Sequence, residues 1–176
     1  MKTIFDSSKI ELVAVPEDKV YLDIRRMFDH SDYEIQRVFY EQYQRLNSAE
    51  FISLIRSLDN QTFGFLNLVD EGIANTLFLD IGVLQQFRNQ QIGKLAITNL
   101  LENYQISKYL VAETQFDNLP AKHMLGFFGD SFYDEKDKIY YFLEGEKTCN
   151  DFVDDYAFEQ LKEKAKVKSK SKFYVR

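Results

Sequence analysis

Apolar positions along the chain alternate with polar ones, or run together, in short stretches that end at Pro, Gly, Asn or Asp, a pattern typical of β-strands. Apolar residues three and four positions apart predict helices at 20–28, from Ser31, after Gly93 and after Asn118. The order strand, helix, strand across 77–114 predicts one parallel pair within a mixed, mostly antiparallel sheet of six to seven strands. The predicted strands cover residues 9–15, 51–56, 62–69, 77–83, 108–114, 132–133 and 139–143.

A polar loop between residues 83 and 93 separates a predicted buried strand from an amphipathic helix. The first N–H groups of a helix have no intrahelical acceptor, and the positive end of the helix dipole lies there, so this loop is a candidate anion site. Arg88 and Lys94 flank the loop and would add charged contacts to a phosphate. From the spacing alone, an ordinary crossover connection and a phosphate site both remain open.

Composition places the chain among soluble globular proteins. It has 176 residues, 45% of them hydrophobic and 28% charged, which fits one domain with a sizeable core. No apolar run has the length of a membrane span, and the N-terminal residues lack the apolar stretch of a signal peptide. Cys149 is the only cysteine, which excludes an internal disulfide and indicates a cytoplasmic setting. We expect a main domain over 1–147 and a C-terminal helical extension with a lysine-rich tail over 148–176.

Charge is unevenly distributed along the chain. The total is −6, but residues 162–176 contain seven basic side chains against Glu163, a net charge of +6, so the remainder carries −12. An acidic body attracts cationic ligands such as amines and repels nucleic acid. The basic tail could bind RNA or an anionic surface weakly, and a solubilising tail is the alternative.

Two blocks of sequence carry a resemblance to a known family. The stretch Val83-x-Gln85-x-Phe87-Arg88-Asn89-Gln90-Gln91-Ile92-Gly93 resembles the acyl-CoA loop of the GNAT superfamily of N-acetyltransferases, with Gln91 standing where the first glycine of that loop is usual. Residues 112–121 resemble the strand and Asn-x-x-Ala segment that flank the pantetheine arm of CoA in the same family. The order of the predicted elements around both blocks also resembles the family.

The resemblance implies an α+β fold with α/β/α layers, in which the central parallel pair of strands splays apart. It implies acetyl-CoA as co-substrate, with backbone groups near the end of the first splayed strand contacting the pantetheine and thioester. For Asn118, a helix cap is the alternative role. We find no residues with metal-ligand spacing. The residues that the resemblance places on acetyl-CoA are Val83, Leu84, Arg88, Asn89, Gln90, Gln91, Ile92, Gly93, Lys94, Asn118 and Ala121.

Acyl transfer to an amine needs a group that removes the amine's proton, which an alkylamine holds up to a pH of about 10. Glu113 is the first candidate, because it resembles a glutamate that acts as base in the family branch that modifies protein N-termini. Asp80 is the second candidate, because a carboxylate inside an apolar strand needs a partner or water. For each residue, a structural or solvent-facing carboxylate is the alternative.

A general acid is harder to assign. The family often has a tyrosine seven residues after the Asn, and here that position is Leu125, which cannot donate a proton. Tyr104, Tyr133 or Tyr140 could reach the site from elsewhere, or a thiolate could leave without a dedicated acid.

The sequence therefore predicts an acyl-CoA-dependent N-acyltransferase that moves an acetyl group from acetyl-CoA to a primary amine of a small molecule or peptide by direct attack. The alternative is a non-catalytic module of the same fold that binds CoA or an amine as a sensor. The expected partners are a CoA thioester and an amine acceptor. We expect no membrane and no nucleic acid beyond the basic tail, and a homodimer is left open.

Overall fold

The computed structural model describes residues 9–14, 49–134, 138–143, 159–161 and 163. The helices predicted at 20–28 and from Ser31 lie outside these residues, as does most of the predicted extension. Each predicted strand is present, with bounds shifted by at most two residues. The strands are β1 Ile10–Ala14, β2 Ala49–Ser57, β3 Thr62–Val69, β4 Thr76–Val83, β5 Tyr109–Gln115, β6 Ser131–Asp134 and β7 Lys138–Leu143, and the helices are α1 Ile92–Asn103 and α2 Leu119–Gly126.

The strands form one mixed sheet in the order β1-β2-β3-β4-β5-β7-β6. Neighbours β1 and β2, β2 and β3, β5 and β7, and β6 and β7 are antiparallel. Only β4 and β5 are parallel, among the pairs that the described residues form, and their pairing runs from Thr76↔Tyr109 to Phe78↔Val111. This confirms the predicted fold class, a mixed sheet with one parallel pair. The parallel pairing covers three residues of each strand, although β4 has eight residues and β5 has seven.

The chain divides into two compact units. The first unit comprises Met1–Asp70 and Leu79–Tyr104, and the second comprises Glu71–Phe78 and Gln105–Arg176. Strand β4 contributes to both, because the boundary falls between Phe78 and Leu79.

In the first unit, α1 is joined to β1 through one side chain on the helix and one on the residue that follows it. The Nδ2 group of Asn99 donates a hydrogen bond to the Ile10 carbonyl at 3.0 Å, and the Tyr104 hydroxyl donates to the Leu12 carbonyl at 3.3 Å. The Tyr104 ring also packs on Phe51 of β2, with centroids 5.1 Å apart. These bonds hold α1 against the same face of the sheet as Phe51.

In the second unit, one short helical piece near the C-terminus completes the core. Leu161 is fully buried, and the Oε1 atom of its neighbour Gln160 accepts a hydrogen bond from the Ala74 N–H at 2.8 Å. This piece therefore contributes an apolar side chain to the core and a polar cap to the start of β4. The buried cluster consists of Ile73, Phe78, Tyr109, Val111, Tyr140, Phe142 and Leu161.

We expect the substitution Leu161→Ala to lower the free energy of unfolding by about 2–5 kcal/mol, because it leaves a cavity in a packed cluster. Urea unfolding followed by circular dichroism measures the effect. Leu58→Ala is the matched control, since Leu58 is 62% exposed, and its effect should stay within about 0.5 kcal/mol. Equal effects of the two substitutions would contradict the burial of Leu161.

Candidate functional site

The end of β4 is shaped by a close approach between two backbones of the first unit. A Cβ atom on Gly64 of β3 would collide with the carbonyl oxygen of Gly82, and a Cβ atom on Gly82 would overlap the ring of Phe65. Beyond this point the Leu84 N–H donates to the Phe63 carbonyl at 2.8 Å. Glycine at both positions therefore lets β3 hold β4 in place up to the start of the candidate loop.

The loop begins with a 3-10 turn, Gln85–Phe87, that folds back on the strand. The Phe87 N–H donates to the Leu84 carbonyl at 2.9 Å, so both backbone groups of Leu84 are engaged within the first unit. The Arg88 Nε atom donates to the Val83 carbonyl at 3.1 Å, which holds the guanidinium group of this exposed residue beside the end of β4. Of the two residues predicted to offer backbone groups to a thioester, Leu84 thus has its N–H bonded to β3.

Gln91, at the position where the resembled loop has its first glycine, adopts the left-handed conformation with φ 62° and ψ 16°. Asn89 is left-handed as well, with φ 62°. Asparagine adopts this conformation more readily than most residues, whereas glutamine is strained there. The loop has thus kept the backbone shape for which glycine is suited while carrying a glutamine.

Helix α1 begins directly after Gln91, and its first intrahelical bond is from the Leu95 N–H to the Gln91 carbonyl at 3.0 Å. The N–H groups of Ile92, Gly93 and Lys94 precede that bond. The Gln91 side chain makes no capping hydrogen bond, and the first turn contains no acidic residue. A cluster of N–H groups at the positive end of the helix dipole, with no carboxylate in that turn, can bind an anion such as a diphosphate.

The second unit carries the other predicted block. Asn118 caps α2, because its Oδ1 atom accepts the Ala121 N–H at 3.3 Å, and Pro120 occupies the first turn, where a missing N–H costs nothing. Glu113 lies on β5 opposite Tyr140 of β7 and is half-buried. The structure thus brings Asn118 and Ala121 together.

Asp80, the second candidate base, is half-buried on β4 and belongs to the first unit, with the loop that follows it. Its Oδ2 atom is buried. The side chains on either side along the strand, Leu79 and Ile81, are apolar, so Asp80 interrupts an otherwise hydrophobic segment.

The predicted alternatives for a general acid are placed as follows. Leu125, at the position of the family tyrosine, is buried in α2. The Tyr104 hydroxyl donates to the β1 backbone, and Tyr140 lies in the apolar cluster of the second unit. The Tyr133 side chain lies outside the described residues. Tyr104 and Tyr140 are therefore poorly placed to protonate a leaving group.

Two residues that bear on the site were not singled out from the sequence. Gly64 is one, and its necessity depends on which residue of β4 lies beside it. Asn67 of β3 is the other: it is 1% exposed, and its Oδ1 atom is buried and receives no hydrogen bond in the part of the chain that is described. A signal for Asn67 exists in the sequence, because it is the one amide in the apolar run 63–69.

The described residues contain neither a metal-binding cluster nor a membrane-spanning helix. No group of three or more His, Cys, Asp or Glu side chains within them is arranged to bind a metal ion. No helix within the same ranges is both long and apolar enough to cross a bilayer.

The family follows from comparison with known proteins. Residues 18–129 match the model of the acetyltransferase (GNAT) family, which is well over half of the chain. The chain therefore belongs to the GNAT acetyltransferase family, whose members use acetyl-CoA as acetyl donor. No curated protein matches the sequence significantly.

Solved structures agree on the fold at low sequence identity. An acetyltransferase from Thermus thermophilus superposes with a TM-score of 0.56 at 14% identity over 77% of this chain and 96% of its own. The ribosomal-protein N-acetyltransferase RimL gives 0.53 at 17% identity over 80% and 96%. A spermidine N-acetyltransferase from Vibrio cholerae, in complex with CoA and spermine, gives 0.50 at 10% identity over 77% and 96%.

The substitution Gly64→Ala should destabilise the protein by about 2 kcal/mol or more, because the added methyl group meets a backbone carbonyl that cannot move independently of β4. Gly126→Ala is the matched control: the new methyl group would be 3.7 Å from the nearest side-chain atom, on Tyr141. Because alanine favours helix, this control should be neutral or stabilising by up to about 1 kcal/mol. Thermal unfolding of both variants checks this, and a tolerated Gly64→Ala would refute the close approach.

The substitution Gln91→Gly should raise the free energy of unfolding by about 0.5–1 kcal/mol, because it removes left-handed strain that exceeds the entropy cost of glycine. Gln90→Gly is the matched control, since Gln90 is not among the residues with positive φ, and it should lower stability by about 0.5 kcal/mol. Urea titrations of the two variants should therefore shift in opposite directions. Shifts of the same sign would show that Gln91 is not left-handed in solution.

Proposed function

We propose that this chain is an N-acetyltransferase that moves the acetyl group of acetyl-CoA to a cationic primary amine by direct attack. The observation that carries the proposal is the left-handed Gln91 ahead of α1, since it preserves the glycine-type backbone of an acyl-CoA loop in a chain that belongs to the GNAT family. Acetyl-CoA supplies an activated thioester when it is bound, and the residues of this chain supply binding, orientation and proton removal.

The loop would bind the diphosphate through backbone groups. The N–H groups of Ile92, Gly93 and Lys94 lie at the positive end of α1, and Gly93 has no side chain that would keep a ligand from the backbone. Arg88, anchored by its Nε atom on the Val83 carbonyl, adds positive charge beside the loop. Asn89, Gln90 and Gln91 would contribute through the shape of the backbone.

Asn118 and Ala121 would flank the pantetheine arm, as the resembled segment does in the family. The Oδ1 atom of Asn118 caps α2, which fixes this residue and the strand end before it. Its Nδ2 group can still donate to an amide carbonyl of the ligand.

Proton removal is assigned to a carboxylate. Glu113 on β5 is the first candidate and Asp80 on β4 the second; both are half-buried, so each can meet a substrate while part of it is shielded from water. The carboxylate accepts one proton from the ammonium, the freed nitrogen lone pair forms the C–N bond, and the C–S bond breaks. The nitrogen then releases a second proton to water or to the departing sulfur, which leaves a neutral amide. The sulfur leaves as a thiolate, for which no dedicated acid is required near neutral pH.

The acceptor we propose is a polyamine or the free N-terminus of a peptide. The charge of the chain outside its basic tail is strongly negative, which favours cationic acceptors. Structural neighbours of the same fold include a spermidine N-acetyltransferase and an N-acetyltransferase of a ribosomal protein. These similarities support the choice of the first substrates to assay.

The test is a thiol-release assay with acetyl-CoA and a panel containing spermidine, spermine and short peptides with free N-termini. We expect turnover with at least one amine. Replacing the base by its amide, Glu113→Gln or Asp80→Asn, should lower kcat by about 10²–10⁴ while the Kd for CoA stays within about twofold. Glu102→Gln is the matched control, because Glu102 is an exposed glutamate of α1, and it should leave kcat unchanged.

Three outcomes separate the hypotheses. Turnover that falls in one of the two amide variants supports the enzyme and identifies its base. CoA binding by calorimetry without turnover on any amine supports the sensor alternative, for which the buried Leu125 in place of an acid is the favouring observation. If CoA does not bind at all, the loop is an ordinary crossover connection and the proposal fails.

A further inference from the structure

Asn67 is a buried amide in an apolar strand of the first unit. It is 1% exposed, and its Oδ1 atom receives no hydrogen bond from any residue that the structure describes. A buried carboxamide without partners costs free energy, because it has given up its bonds to water. A polar side chain close to Asn67 would therefore lower this cost by forming a hydrogen bond with its carboxamide.

Strand register identifies that neighbour. Strands β3 and β4 are adjacent, and the hydrogen bond from the Leu84 N–H to the Phe63 carbonyl places the end of β4 beside the start of β3, so we infer that the two strands run antiparallel. Gly82 lies against the ring of Phe65 on one face of the pair. Moving two residues along each strand, in opposite directions, keeps the same face and brings Asp80 opposite Asn67. Side chains of opposed residues in such a pair have Cβ atoms about 5 Å apart, which is within reach of a hydrogen bond between their ends.

The described neighbours of Asn67 along β3 and across on β2 offer its side chain no hydrogen bond. Ile52 of β2 pairs with Asn67, and Phe65 and Val69 flank it along β3. All three side chains are apolar, so Asp80 is the polar group that the register places nearest to Asn67 within the described part of this unit. Asn67 is closed to solvent while Asp80 is half-buried, so Asp80 can meet a ligand and Asn67 lies behind it.

We propose that Asn67 is a positioning residue for Asp80: its carboxamide donates an N–H to the carboxylate and holds it in the orientation that accepts the substrate's proton. A half-turn of the carboxamide exchanges Oδ1 and Nδ2 with little movement of the side chain, and it directs the NH₂ group to Asp80. A donated N–H also favours the charged form of the carboxylate. This inference depends on the proposed function, with Asp80 as the base.

The experiment is a double-mutant cycle on kcat, using the amine that turns over. Asn67→Leu should lower kcat at least about tenfold in the chain with Asp80 and less than about twofold in the Asp80→Asn background. The KM for acetyl-CoA should not change. Asn67→Ser, whose hydroxyl can also donate a hydrogen bond, should retain part of kcat. It replaces Asn67→Leu in the cycle if the leucine variant does not fold.

Ser53 provides the matched control. Like Asn67 it is a fully buried polar residue, but it lies on the neighbouring strand β2, and its hydroxyl donates to the Leu66 carbonyl at 2.6 Å. Ser53→Ala should change kcat by the same factor in both backgrounds. If Asn67→Leu also does so, or if Asp80→Asn alone costs less than about threefold in kcat, the proposed positioning role is wrong.

A second cycle uses unfolding alone and needs no substrate. The double variant should change the unfolding equilibrium constant by a factor that differs at least about threefold from the product of the two single effects, those of Asn67→Leu and Asp80→Asn. Independent effects would overturn the contact between the two residues. Coupled unfolding in a chain that acetylates no amine would confirm the contact and refute the proposed function, so the two failures are distinguishable.

Discussion

The contact between the backbones at Gly64 and Gly82 is the constraint on which the candidate site depends. Strand β4 carries Asp80, and the loop toward α1 follows it, so its path decides where both are presented. That path is set by β3, which can come so close because neither glycine has a side chain. The hydrogen bond from Leu84 to Phe63 ends this contact and marks the point where the chain turns into the loop. Packing between two strands therefore determines where the candidate anion-binding turn begins.

The loop itself shows that a backbone conformation typical of glycine can be adopted by a residue for which it is strained. Gln91 and Asn89 both adopt positive φ, and α1 begins directly after Gln91 with no acidic residue in its first turn. Backbone groups bind a diphosphate whatever side chains accompany them, so the sequence of such a loop can vary more than its shape. The sequence of this loop thus departs from the family pattern at Gln91, whereas the backbone there has the left-handed conformation that glycine adopts readily.

Much of the fold could be predicted from the sequence, because its strands are short apolar runs with clear ends. Strand β3 was predicted with the bounds Thr62–Val69 that the structure has, since Asn60 and the acidic turn after Val69 delimit it. The cap at Asn118 was also foreseeable, because Asn followed by Leu-Pro is typical of a helix start. The helices predicted at 20–28 and from Ser31 lie outside the described residues.

What could not be predicted depends on register between strands. That Leu84 uses its N–H on Phe63 follows from how β3 aligns with β4, and apolar periodicity does not specify this alignment. The same limit applies to Leu161, whose burial in the second unit could not be inferred from a lysine-rich context.

The contribution of Leu161 and Gln160 has a consequence for how the protein is made. Ala74 and Gln160, which share a hydrogen bond, are 86 residues apart in sequence. Synthesis proceeds from the N-terminus, so the core of the second unit is incomplete until Leu161 has left the ribosome. By then the described strands and helix of the first unit have already been synthesised. Over that interval Phe78 and its apolar neighbours lack one member of their cluster, so apolar surface that the folded unit buries stays exposed.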